Sequence, residues 1–290
     1  MLDEAAVERA AQGAKLALPR GPHGGKVGEV RAASVGSSME IHDFRAYQPG
    51  DDLRQIDWNA VARTGELILR VRQDEVAPRV EVLVDGSRSM AMTPAKAART
   101  RELALLFSRI AARQGLEPVL IAAGARPERT GAVGATAVLR ALTFDGRDDF
   151  DAALRRGPPL RSCGLRIALS DFLFEIDFFR FLERIARGAA ALALVQVLDP
   201  EDLSPTGGYG AQLVDVESGE RLERILSPAV LRAYQRRLEG HQRLLRAAAA
   251  RVRATLVTVS AGVPVEALVR GPVGVLMVQG AGAEPGRAAR

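Results

Sequence analysis

Cysteine is almost absent from this 290-residue chain; Cys163 stands alone, which excludes an internal disulfide framework and suits a reducing compartment. Lysine is nearly as scarce, since Lys15, Lys26 and Lys96 are the only ones and arginine carries the remaining basic charge. Aromatic residues make up 4% of the chain, with Trp58 the single tryptophan. No apolar run reaches the roughly 18 residues from which a membrane-spanning helix is read. The N-terminal stretch Met1-Leu-Asp-Glu-Ala-Ala-Val-Glu-Arg9 is charged and has no apolar centre of the kind a signal peptide needs. The expectation is a cytoplasmic protein, or one held peripherally at a membrane through its partners.

The marks of common enzymes are missing as well. No Gly-x-Ser-x-Gly elbow surrounds a serine, and His23, His42 and His241 lie in dissimilar contexts without a catalytic cysteine at credible spacing. The glycine-rich stretch Gly21-Pro-His-Gly-Gly-Lys26-Val27-Gly28 superficially matches a phosphate loop. Arg20 occupies the first glycine position, however, and Val27 stands where a magnesium-binding hydroxyl belongs, so it is read as a loop. The net charge of +5 does not make a nucleic-acid patch. Basic residues are scattered among acidic ones, aromatics to stack bases are few, and the arginine skew resembles genomic compositional bias.

What is present is a change of character at residue 80. Short apolar runs at Val80–Val84, Pro118–Ala123, Leu165–Leu169, Ala191–Leu198 and Thr255–Val259 alternate with helical segments near 96–114, 135–142, 149–155, 176–187 and 228–252. Continuous apolar strands separated by helices predict a mainly parallel sheet covered on both faces, an α/β doubly wound fold. On the last helix Leu231, Tyr234, Leu238, His241, Leu245, Ala248 and Val252 step by three and four into one apolar stripe. Residues 2–17 have weak helical periodicity, residues 39–79 are polar and irregular before a strand at 67–72, and 207–222 reads as a hairpin. The expected division is an N-terminal appendage over 1–79, the α/β domain over 80–279, and a frayed tail over 280–290.

The most informative segment is Val80-Glu-Val-Leu-Val-Asp85-Gly86-Ser87-Arg88-Ser89. A buried strand ends in a carboxylate, and two hydroxyls follow at alternate positions. In open α/β sheets, ligands bind beyond the carboxyl ends of the strands. One carboxylate and two hydroxyls are hard oxygen donors suited to Mg²⁺ first, with Mn²⁺ or Ca²⁺ as alternatives. Asp171, at the end of the run Ile167-Ala-Leu-Ser170, would converge on Asp85 if the two strands were neighbours. Two buried carboxylates repel, and a cation between them relieves the repulsion. The competing explanation is that each aspartate simply caps the turn or helix that follows.

These residues resemble two known patterns. The Asp-x-Ser-x-Ser loop is similar to the metal-ion-dependent adhesion site of von Willebrand factor A domains. The upstream segment Glu40-Ile-His-Asp-Phe-Arg-Ala-Tyr47-Gln-Pro49-Gly50-Asp51-Asp52-Leu-Arg54-Gln-Ile-Asp57-Trp58 resembles the signature of a bacterial family called domain of unknown function 58, over roughly residues 30–270. The resemblance implies a von Willebrand A-like fold and a metal-dependent protein-binding module. It also implies MoxR-type AAA+ ATPases, or other von Willebrand A proteins, as partners in protein maturation. It departs at one ligand, because Asp148 in Asp145-Gly-Arg-Asp148-Asp149 stands about where the family of adhesion sites has threonine, with Thr143 a few residues earlier. The metal set expected from this sequence is therefore Asp85, Ser87, Ser89, Asp148 and Asp171. Asp51, Asp52, Arg54, Asp57 and Arg63 are expected to form a buried ion network beneath Trp58. The rival functions are a scaffold with a degenerate metal site and a metal-assisted phosphoester hydrolase, for which Arg88 and Arg147 are the nearest anion clamps.

Overall fold

The computed structural model describes residues 2–18, 43–46, 56, 58–71, 79–203, 205, 212–214, 221–223 and 227–278. The chain divides into two compact units, residues 20–76 forming one and residues 1–19 with 77–290 the other.

The larger unit begins with α1 (Glu4–Ala11), capped by Asp3, whose carboxylate accepts from the Ala6 amide at 2.9 Å. In the smaller unit, β1 (Asp43–Ala46) pairs antiparallel with β2 (Ile68–Val71), and α2 (Trp58–Thr64) lies between them in sequence. The remainder belongs to the larger unit. Its elements are β3 (Arg79–Asp85), α3 (Pro94–Arg113), β4 (Glu117–Ala123), β5 (Glu128–Gly131), α4 (Ala132–Ala141), α5 (Phe150–Arg156), β6 (Cys163–Ser170), α6 (Phe178–Ala186) and β7 (Ala189–Leu198). They continue with α7 (Pro200–Leu203), the antiparallel pair β8 (Gln212–Val214) and β9 (Arg221–Glu223), α8 (Pro228–Arg251), β10 (Thr255–Ser260) and α9 (Val265–Arg270).

Six strands form the central sheet in the order β10-β7-β6-β3-β4-β5, all parallel except the edge strand β5. This is a doubly wound α/β fold. The period-two alternation of β3 sends Val80, Val82 and Val84 into one core with α1, α3 and α9, where Val7, Leu103, Phe107 and Leu268 are buried. Leu83 turns to the opposite core, where Phe150, Phe181, Leu182, Ile185, Leu245 and Ala248 come from α5, α6 and α8. Continuous apolar strands thus reflect burial on both faces.

The expected boundary at 79/80 lies close to the observed one at 76/77; the expected division departs at the start of the chain. Residues 1–19 belong to the α/β unit, because α1 presents Ala6, Val7, Ala10 and Ala11 to α3 and α9. Arg109 on α3 reaches Glu4 and Glu8 at 2.9 and 2.5 Å, and the Val278 amide donates to the Lys15 carbonyl at 2.7 Å. The expected helix over 2–17 is also shorter, ending before Gly13, which turns the chain at a φ of +73°. The edge strand β5 escaped sequence analysis, since Glu-Arg-Thr-Gly carries no apolar run. The phosphate-loop look-alike, the tail from 280, Asp51, Asp52, Arg54 and Asp57 lie outside the described residues. Trp58, from the same segment, is 65% exposed.

Candidate functional site

From β3 the chain crosses over α3 to β4 on one side, while β6 lies against the other side of β3. The carboxyl ends of β3 and β6 therefore flank the crevice where strand order reverses, the place where such sheets take ligands. Asp85 ends β3 and Asp171 follows β6, so the two aspartates meet across neighbouring strands.

Asp85 is fully buried. Its Oδ1 accepts from the Ser87 amide at 2.9 Å and its Oδ2 from the Ser170 hydroxyl at 2.6 Å, both neutral donors. Burial, followed by the charge of Asp171, pushes the Asp85 carboxyl up to about 7 against the pull of those hydrogen bonds. The Ser87 and Ser89 hydroxyls lie 3.1 Å apart at the mouth of the loop. A glycine at position 86 is required here, because a Cβ would sit 2.6 Å from the Gly124 Cα. The segment around Gly146 is laced to this loop. Its amide donates to the Gly86 carbonyl at 3.1 Å, and its carbonyl accepts from the Arg88 amide at 3.2 Å.

Asp171 has a different environment. Its Oδ1 accepts from the Leu173 amide at 3.0 Å, and its Oδ2 from the Lys96 ammonium at 2.9 Å. Lys96 is wholly buried and also donates to Asp202 Oδ2 at 2.9 Å. Burial alone would lower the Lys96 pKa; Asp171 and Asp202 outweigh it and raise the pKa, so the group is an ammonium. The helix that carries Lys96 is fixed at its start. Thr93 caps α3 by accepting from the Lys96 amide at 3.1 Å, and its hydroxyl donates to Asp199 at 2.6 Å. Asp202 on α7 accepts from the Asp199 amide at 2.8 Å, and its carbonyl accepts from the Tyr234 hydroxyl on α8 at 2.6 Å.

Phe172, next to Asp171, has a φ of +51°, a region costly to a side chain with a Cβ. Its carbonyl accepts from His241 at 2.5 Å, and its ring packs within an aromatic cluster with Phe150 and Phe174. This holds the turn after β6 in one conformation.

Of the five residues expected to bind metal, the fold gathers Asp85, Ser87 and Ser89 in one loop and sets Asp171 beside them. Asp148 is committed elsewhere, in an ion pair with Arg156 at half-exposed positions. Thr143 is exposed. Among the described residues, no three carboxylate, imidazole or thiol groups converge as a metal cage. The donor set that fits a hard divalent cation is therefore one carboxylate and two hydroxyls, those of Asp85, Ser87 and Ser89. Sequence reasoning missed Lys96, Asp199, Asp202 and Ser170. Lys96 did carry a signal, as one of three lysines in a chain whose other basic residues are arginine.

Among the described residues, no helix is long and apolar enough to cross a membrane. Two mycobacterial proteins, Uncharacterized protein Rv1480 of Mycobacterium tuberculosis and Uncharacterized protein Mb1516 of Mycobacterium bovis, are each 32% identical to this chain over 241 residues. The alignments cover 76% of the chain and 73% of each relative. A crystal structure of the conserved hypothetical protein BatB from Bacteroides thetaiotaomicron is similar over 69% of this chain and 98% of its own, at 14% identity and a TM-score of 0.40. An aerotolerance-related membrane protein from Bacteroides fragilis is similar over 68% and 97%, at 11% identity and a TM-score of 0.39. At these scores neither likeness bears on function. The profile described as Protein of unknown function DUF58 matches residues 43–244, and with the mycobacterial relatives this shows that the chain belongs to that family.

Proposed function

We propose that this chain is a protein-binding module that works through a divalent cation, Mg²⁺ by preference, held by Asp85, Ser87 and Ser89. The reading rests on one observation above others: a buried carboxylate at the switch point faces a second one and accepts its hydrogen bonds from neutral groups, beside two paired hydroxyls. A cation there would relieve the desolvated charge of Asp85 and offer an open ligand position to an acidic side chain of a partner. Met92 and Leu203, close in sequence to Ser89 and Asp202, are exposed and would supply apolar contact around the centre. The partner to test first is a MoxR-type AAA+ ATPase, the class that the signature segment implies, with the chain acting in the cytoplasm as its adaptor in protein maturation.

Capture of such an ATPase by the immobilised chain, with Mg²⁺ or with EDTA, tests this directly when repeated on Asp85→Ala. Binding should require both the metal and Asp85. Equal capture in EDTA, or by the substituted chain, would refute the metal-dependent reading. A second reading, a scaffold that needs no metal, is favoured by the Lys96 ammonium already seated on Asp171. It predicts no rise in thermal stability on Mg²⁺ titration, whereas a ligand of the native state must raise it.

A further inference from the structure

The two aspartates at the switch point differ in what balances them. Asp85 has neutral donors on both oxygens, whereas Asp171 has an amide on one and an ammonium on the other. The Lys96 side chain is as buried as the strands it lies against, and its two carboxylate partners come from different corners of the fold, the β6 end and α7. Lys96 is thus fixed on Asp171 Oδ2 while it also serves Asp202. A divalent ion approaching it would meet a fixed positive charge at hydrogen-bond distance.

We propose that Lys96 is a positioning residue that holds the Asp171 carboxylate off the ion, so that a cation in this site is ligated by the Asp85, Ser87 and Ser89 side alone. The proposal rests on the cation-binding reading above and refines it. A cation whose only carboxylate ligand in the chain is Asp85 keeps open coordination positions, and an anionic group from the partner suits one of them. If Asp171 were free to coordinate, it would take the position left for the partner's acid. Lys96 thus sets the specificity of the site for a carboxylate-bearing partner.

The test is Mn²⁺ binding to the full chain, measured calorimetrically and by the resonance signal of free Mn²⁺, with circular dichroism as a check on folding. Asp85→Asn should weaken binding at least about tenfold, while Asp171→Asn should weaken it less than about fourfold, because Asp171 acts on the ion only through space while its oxygens stay on the Leu173 amide and Lys96. Lys96→Met should tighten binding about tenfold by releasing Asp171, and the gain should vanish in Lys96→Met/Asp171→Asn. A lysine of purely structural importance would not tighten metal binding on removal. Weakening by Asp171→Asn equal to that by Asp85→Asn would overturn the proposal, and that comparison decides alone should Lys96→Met fail to fold. If the native chain takes no Mn²⁺ but Lys96→Met does, the metal-dependent function falls while the assignment of Lys96 stands. If neither takes it, both fall.

Discussion

The clearest quantitative consequence concerns Asp85 without metal. Its carboxyl sits at about 7 in the folded chain against an ordinary 3.8, so the native state holds its proton more tightly than the unfolded state does. A carboxyl raised in this way gives its full stability below the unfolded value and loses it as pH rises through the folded one. Stability drawn from this group is thus present near pH 4 and lost by about pH 8. Each tenfold change in proton affinity corresponds to about 1.4 kcal/mol, so the loss amounts to at most about 4 kcal/mol. Asp85→Asn removes the titration while keeping a side chain of the same shape, able to accept from the Ser87 amide. Urea unfolding in EDTA at pH 5 and pH 8 should therefore show the substituted chain gaining on the native one as pH rises, by about 2 to 3 kcal/mol. Taking the difference between the two chains cancels titrating groups that do not interact with Asp85, including Glu102, which burial also raises. Mg²⁺ at pH 8 should restore stability to the native chain only. The reasoning fails if the stability difference between native and Asp85→Asn is the same at both pH values, or if the substituted chain loses ground at pH 8.

Three other perturbations probe the framework under the site. Glu81 and Arg166 are wholly buried register partners on β3 and β6, bonded at 2.7 and 2.9 Å; Glu81→Leu should cost about 3 to 5 kcal/mol by stranding the guanidinium, and adding Arg166→Met should recover much of it in urea unfolding. Gly86→Ala would force the backbone of the Asp85 loop away from Gly124, lowering stability by about 1 to 3 kcal/mol and abolishing any Mg²⁺-induced thermal shift. Burial pushes the Cys163 thiol up to about 11, so a thiol reagent at pH 8 should react far more slowly with the native chain than with the urea-unfolded one; equal rates would place the thiol at the surface.

Much of this architecture was legible in the residues themselves. Five apolar runs predict five strands at their observed places; four are buried on both faces, which demands continuous hydrophobicity, while the edge strand β10 fully buries only Val257 and Val259. The stripe on α8 and the aspartate closing β3 follow from local rules as well; the glycine after it does not, since it is Gly124 that leaves no room for a Cβ there. The edge strand β5 had no such signature. It pairs through its backbone at the rim, where polar side chains cost nothing. Charges inside the apolar segments were the harder case. Glu81 and Lys96 read as interruptions until Arg166, Asp171 and Asp202 are seen around them, since a buried charge takes its meaning from partners distant in the chain.

The Asp85 loop thus belongs to the sequence, as an arrangement of oxygen donors four residues apart at most. Which of those donors are free belongs to the tertiary structure alone. Asp148 is drawn to Arg156, and Asp171 to a lysine 75 positions away, by distances that no local pattern encodes. Hydrophobic periodicity is a property of neighbours along the chain. Electrostatic balance in a low-dielectric interior is settled by whichever charges the fold brings within hydrogen-bond reach.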